Sequence, residues 1–214
     1  TALGPAYIKF GQIFSTRPDV VGVELANQLR VLQDKLAPFP MDVARKTIEQ
    51  DLGQSVDALF SEFSEPVAAA SIAQVHRAIL AETGEQAAGK VLRPKIEQAF
   101  RRDIDAFYFA ARMIEALLPG TRRLRPMDVV SHFEGVVLGE LDLRLETASA
   151  AEFAANTQGD KGFRVPEVKW PLSSRRVMTL EWVSGTQLGD VPAILAAGHD
   201  PVRLGEKVLS TFLS

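Results

Sequence analysis

Lys90 stands where a charge is costly. The run Ala87-Ala88-Gly89-Lys90-Val91-Leu92 is otherwise apolar, and burying an ammonium costs several kcal/mol unless an anion meets it. The position asks for a carboxylate, a phosphate or both. Acidic candidates cluster in Glu140-Leu141-Asp142-Leu143-Arg144-Leu145-Glu146. Asp142 and Glu146 are four apart and would share a helix face, where like charges weaken an isolated helix by about 0.2–0.5 kcal/mol. A cation should compensate: Lys90, Lys9, a metal ion, or simply Arg144 and solvent. Glu140 points elsewhere on the same turn pair and could meet a second cation.

The elements that must position these groups follow from pattern and punctuation. Ser71 to Leu80 and Ala87 to Leu92 read as two strands of a hairpin, with Thr83-Gly84 marking the turn between them. A strand lysine under a flexible loop, held by a helix glutamate, is how kinase-like folds grip nucleotide phosphates. A lysine snorkelling to water beside tight alanine packing is the plainer alternative. Upstream, Leu3 to Thr16 and Asp19 to Leu36 read as helices, with Pro18 stopping the first and Asp19 placed to cap the second. In the second, Val20, Val23, Leu25, Leu29, Leu32 and Leu36 form an apolar stripe. Gly11, in mid-helix within Lys9-Phe10-Gly11-Gln12, suggests a close approach, because glycine costs about 1 kcal/mol there relative to alanine. After the joint at Pro38 and Pro40, Met41 to Leu52 is a helix with Met41, Ala44, Ile48 and Leu52 inward, and Ser55 to Phe60 a short one.

Beyond Pro94 a helix is expected from Lys95 to Leu118, with Ile96, Phe100, Ile104, Phe107, Ala111, Ile114 and Leu118 on one side and Arg101, Arg102 and Arg112 on the other. Pro119-Gly120 ends it. Arg122-Arg123-Leu124-Arg125 is a basic surface loop that lipid phosphates or a partner could meet. Pro126 opens a further helix, read as continuous to about Phe153. Phe163 to Val168 and Arg176 to Trp182 read as paired strands, and Glu181-Trp182-Val183-Ser184-Gly185 as the turn into a loop. Leu188 to Ala197 and Leu204 to Ser214 look helical.

Composition narrows the class. The chain has 214 residues, 46% of them hydrophobic, with 27 acidic against 24 basic side chains and a net charge of −3. A real core is within reach, and nothing electrostatic argues for nucleic acid. Without cysteine there are no disulfides, thiolate metal sites or cysteine nucleophiles. No run of eighteen apolar residues exists, and the first residues do not read as a signal peptide. A chain that begins at Thr1 and breaks off at Ser214 inside a helical pattern reads as a fragment cut at both ends.

Four pieces in one order carry a resemblance: GPAYIKFGQIFSTRPD, AAASIAQVHRA, GKVLRP and GELDLRLETASAAEF. Together they resemble the UbiB family of atypical, protein-kinase-like proteins linked to coenzyme Q biosynthesis, and LLPGTRRLRPMDVV with TLEWVSG fits its bacterial branch. The resemblance covers essentially the whole chain. It implies an α+β fold: a kinase-like small lobe of antiparallel sheet and long helices, an all-α N-terminal extension (1–62), the lobe and hinge (63–185), and the start of a helical large lobe (186–214).

The resemblance also implies roles. Ala68, Ala69, Ala70 and Ser71 match an Ala-rich loop that replaces the Gly-rich loop of ordinary kinases; Lys90 matches the phosphate lysine and Glu146 its helix partner. Glu140 and Asp142 match an ExD motif, and Lys9, Gly11 and Gln12 a KxGQ motif in an extension that folds over the active site. Val75 would line the nucleotide site, and the backbone at Glu181 and Val183 would be available to the adenine. One departure is Ala88-Gly89-Lys90 where Val-x-Lys is usual, which would loosen the adenine pocket.

The implied cofactors are ATP or ADP with Mg²⁺. The implied activity is that of an ATPase or small-molecule kinase supporting ubiquinone biosynthesis in the cytoplasm at the inner face of a bacterial membrane, with peripheral membrane contact. Lipid or ubiquinone-biosynthesis proteins are the expected partners besides nucleotide. The rival is a non-catalytic pseudokinase module binding nucleotide or lipid. His199-Asp200-Pro201 tempts as a catalytic loop, but no asparagine follows it, so it reads as a turn before a helix. The fragment is expected to be inactive alone, His76 and His132 to be structural, and no metal site is assigned.

Overall fold

A charged residue can occupy a central strand only if one face of the sheet offers it a polar exit, and the topology shows where that exit lies. The computed structural model describes residues 4–16, 18–29 and 37–213. Among them, β1 (Phe60–Ala69), β2 (Ala73–Leu80), β3 (Gln86–Leu92) and β4 (Val177–Glu181) form one antiparallel sheet in the order β1-β2-β3-β4. Lys90 faces Val75 on one side and Met178 on the other. Strand alternation puts Ala88, Lys90 and Leu92 on one face and Ala87, Gly89 and Val91 on the other.

The helices are α1 (Pro5–Ser15), α2 (Pro18–Val21), α3 (Val23–Leu29), α4 (Met41–Leu52), α5 (Val56–Leu59), α6 (Ile96–Leu117), α7 (Pro126–Glu140), α8 (Leu143–Asn156), α9 (Val191–Ala196) and α10 (Pro201–Leu213). Two cores cover the two sheet faces. On the Lys90 face, Ala6, Ile72, Ala73, Leu92, Phe100, Ile104, Phe133, Leu141, Leu143 and Met178 form one cluster, joining α1, α6, α7 and α8 to the sheet. On the other, Ala44, Ile48, Val56, Phe60, Ala78, Leu80, Ala87, Val91 and Val177 join α4 and α5 to it. Residue 62, where the sequence places the end of the extension, therefore lies inside β1.

Several expectations change in the structure. β1 was hidden by Glu62, Ser64, Glu65 and Pro66, which do not read as a strand. It is an edge strand with register shifts on both sides of Pro66, where the missing N–H of proline and the irregular pairing are tolerated. The helix expected from Asp19 breaks at Gly22, whose φ of +85° is a left-handed conformation that suits glycine. Pro18 begins α2 and does not merely end α1; Asp19 sits in its first turn. Val23 and Leu25 of the expected stripe are exposed, while Ala26 is buried; Leu32 and Leu36, like Leu3, Arg17 and Ser214, lie outside the described residues. In α6 the inward stripe holds from Ile96 to Ala111, but Ile114 and Leu118 are exposed. The helix expected from Pro126 to Phe153 is interrupted at Leu141-Asp142. Phe163 to Val168 meets β4 through one bridge, Val168 to Leu180, and not as a paired strand.

An ionic tie fixes the approach to β4. Asp51, at the end of α4, accepts hydrogen bonds from Arg176 Nε (2.7 Å), Arg176 N (2.9 Å) and Ser174 Oγ (2.8 Å). Burial pushes its pKa up, but the bonds from Arg176 and Ser174 outweigh that and hold it below the ordinary value. A depressed folded pKa stabilises above the unfolded value of about 3.9 and is lost as pH falls through the folded one. Asp51→Asn is thus expected to cost about 1–3 kcal/mol at pH 7, with the gap from the parent narrowing once pH falls below the ordinary carboxylate range; urea melts across pH check this.

Candidate nucleotide site

Lys90 leaves the sheet toward α8. Its Nζ donates to both carboxylate oxygens of Glu146, at 2.7 and 2.6 Å. The side chains remain 28% and 50% exposed, and a pair this open contributes at most about 1 kcal/mol to folding. Stability does not account for a lysine in a central strand. Beside Lys90 on the same face stand Val75 and Met178 in direct register, then Ala88 and Leu180 one pair further along, an apolar floor next to a cation. Ala88 is legible from strand alternation, whereas Met178 and Leu180 require the register of β4, which no local pattern reveals. Gly89 faces away; a Cβ there would meet Phe63 at 3.7 Å, so only Ala88 of the Ala-Gly pair bears on this face.

The break between α7 and α8 decides what the ExD residues do. Asp142 is extended (φ −121°) and caps α8, accepting from Arg144 N at 3.1 Å. Its carboxylate also takes Arg144 Nε at 2.9 Å. That bond chiefly holds its pKa below the ordinary carboxylate value against a partial upward push from burial. The like-charge face imagined for Asp142 and Glu146 does not form: Arg144 answers the first and Lys90 the second. Glu140 ends α7, where the helix dipole disfavours an anion, and Lys9 of α1 supplies the compensating charge at 2.6 Å. Its Oε2 is buried and takes no hydrogen bond among the described residues, so Lys9 meets it as a charge. Gln12 lies one turn on from Lys9 and is half-buried, without a hydrogen bond to Glu140 or Asp142 among the described residues, while Gly11 is buried within α1. Lys9→Ala should cost about 1–3 kcal/mol, because Glu140 then stays half-buried and unpaired. Adding Glu140→Gln should recover part of that loss in the same denaturation assay.

The Ala-rich segment is tighter than a flexible loop. Ala68 and Ala69 complete β1, Ala70 N donates to Ala73 O at 2.8 Å, and Ser71 and Ile72 are buried. At the other end of the sheet, Trp182 N donates to Gln86 O at 3.1 Å, the last ladder bond before the exposed Val183. The Glu181 carboxylate is held below its ordinary pKa by Arg164, with help from the Glu167 N–H, so its side chain is committed to the sheet's outer edge. His76 is buried between Gln74 and the Ser64 carbonyl (2.8 Å), stacked on Phe63. Asp200 accepts from Val202 N at 2.9 Å as α10 begins, a turn before a helix as expected.

A cation beside an apolar floor suits a nucleotide. Mg²⁺ does not fit the same residues: a hard divalent ion needs several oxygens not already neutralised, yet Glu140, Asp142 and Glu146 are each matched by a cation. No cluster of three or more histidine, cysteine or acidic side chains among the described residues could hold a metal. Among them, too, no helix is long and apolar enough to cross a membrane.

Comparison with known proteins places the chain in a family. Residues 31–214 match the ABC1 atypical kinase-like domain. Over 213 residues, 99% of this chain, it is 40% identical to the Probable protein kinase UbiB of Aliivibrio fischeri strain MJ11. The namesake proteins of Vibrio atlanticus and Pseudomonas aeruginosa are 41% and 39% identical over the same length. The chain spans 39% of the first two relatives' length and 40% of the third's. A strand lysine paired with a helix glutamate, on a sheet matched along most of its sequence by that domain, leaves one assignment: the chain belongs to the ABC1 atypical kinase-like family.

Proposed function

We propose that this chain is the nucleotide-binding part of an atypical kinase or ATPase that supports ubiquinone biosynthesis. The Lys90–Glu146 pair carries the reading, since a strand lysine held by a helix glutamate is the phosphate grip of kinase-like proteins. In it, Lys90 meets the nucleotide phosphates and Glu146 orients Lys90. The turn of Ala68, Ala69, Ala70 and Ser71 covers the phosphates. Val75, with the backbone at Glu181 and Val183, receives the adenine. Lys9, Gly11 and Gln12 place α1 across the site, with Glu140 as its anchor and Asp142 shaping the turn into α8. The extension gives way to the lobe where β1 begins, just ahead of the boundary at residue 62 that the sequence suggests, and the lobe to the large-lobe start at about residue 185; the protein works at the inner face of the membrane. The test is phosphate release by the full-length protein with ATP and Mg²⁺. Glu146→Gln should lower it at least about tenfold, the effect of one mis-set charge-assisted contact, and an unchanged rate would remove Glu146 from the site.

A second reading has its own support: Glu140 and Asp142 are already neutralised by Lys9 and Arg144, as in a pseudokinase that holds nucleotide or lipid and organises a biosynthetic complex. Complementation of a ubiquinone-deficient strain by the Glu146→Gln protein would favour it.

A further inference from the structure

Arg93 follows Leu92 at the end of β3, three residues beyond Lys90, and it donates hydrogen bonds to backbone carbonyls. Its N–H donates to Ile72 O at 2.8 Å. Its side chain donates from Nε to Ala70 O at 3.0 Å and from the Nη2 end to Ala37 O at 2.9 Å. One residue thus holds two carbonyls of the Ala70–Ile72 turn and reaches residues 37–39, just ahead of α4. That segment is fixed a second way. Phe39 N donates to Gln74 Oε1 at 2.9 Å, Gln74 Nε2 returns to Phe39 O at 3.4 Å, and the Arg93 guanidinium lies 5.7 Å from the centre of the Phe39 ring. Gln74 is fully buried. The turn has no glycine and no residue of positive φ; besides its own Ala70 N to Ala73 O bond, it is held by what grips its carbonyls.

We propose that Arg93 is a positioning residue for the Ala-rich turn, tying it to residues 37–39 so that the surface offered to nucleotide phosphates and the entry to α4 are held as one unit. The proposal rests on the nucleotide reading above for its phosphate-facing half. Arginine suits this position because Nε and Nη2, held in one rigid plane, reach two separate carbonyls at once, whereas the donors of lysine radiate from one atom at the end of a flexible stem. Because the adenine side, at Val75 and β4, is held by the sheet ladder and not by Arg93, loss of the strut should affect phosphate binding and spare the base.

The test uses the full-length protein with Arg93→Gln and the milder Arg93→Lys, which keeps stem and charge should the first fail to fold. Two quantities are read: amide hydrogen exchange over residues 69–73 and 37–39 without nucleotide, and dissociation constants for ATP and for adenosine. Exchange is expected to rise together in both segments. ATP affinity should fall about tenfold, as for one lost charge-assisted contact, with adenosine affinity unchanged. Exchange unchanged in either segment would overturn the proposal, as would an equal loss of ATP and adenosine affinity, which would mark a general loosening. Coupled loosening in a parent protein that binds no ATP would sink the nucleotide reading and the phosphate half, leaving the mechanical tie standing.

Discussion

Replacing Lys90 by methionine should lower ATP affinity of the full-length protein by about 30-fold or more, the cost of removing the cation from a charge-assisted contact with phosphate. Folding stability should scarcely move. The pair with Glu146 is 28% and 50% exposed and so contributes at most about 1 kcal/mol, and methionine preserves the stem that packs between Val75 and Met178. The parent's melting temperature should rise with ATP and ADP, and the variant's should not. A variant that keeps the full nucleotide shift would detach Lys90 from the site and leave the pair as a surface salt bridge. Glu146→Gln should fall between the two, since it leaves the lysine in place but no longer directs it.

The second large effect lies in the core beneath that pair. Phe100 of α6 is 1% exposed in the cluster where α1, α6, α7, α8 and the sheet meet. Phe100→Ala should therefore cost about 3–5 kcal/mol, from lost burial and the cavity left behind. Against the roughly 5–15 kcal/mol typical of a folded domain that is a large share, and urea titration would show it as a lower midpoint with the slope retained. Since Leu141 and Leu143 in the same cluster seat the start of α8, nucleotide binding should weaken in parallel. A loss under about 1 kcal/mol would mean that the helices do not converge on Phe100.

Both expectations draw on residues readable in the sequence, and their different legibility has a physical origin. The hairpin of β2 and β3 was legible because Thr83-Gly84 and the apolar runs around it are local signals; Gly84 does adopt a left-handed φ of +72°. The inward side of α6 was legible through Ala111 because helical periodicity reports a buried face wherever a partner lies along it. It failed at Ile114 and Leu118, both exposed. β1 was missed because an edge strand tolerates proline and acidic residues. The break before α8 was missed because Asp142 and Glu146 fit a continuous helix as well as a cap followed by a first turn. Arg93 and Asp103 carried no signal in the sequence. Asp103, buried in α6, accepts from Ala6 N at 3.2 Å at the start of α1, a contact between residues 97 apart that no spacing rule anticipates.

What the sequence determined alone was the chemistry on offer: an unmatched strand cation, a reservoir of carboxylates in the segment from Glu140 to Glu146, and turn residues that demand particular backbone shapes. These are properties of single residues and their near neighbours. Which carboxylate meets which cation was decided only by tertiary structure. Glu146 reaches Lys90 because α8 restarts after Asp142, and Glu140 is left at the end of α7 for Lys9, while Asp142 turns to Arg144. The reason is one of range: ion pairing depends on approach within a few ångströms, and between residues far apart in the chain that approach is set by how the helices pack on the sheet.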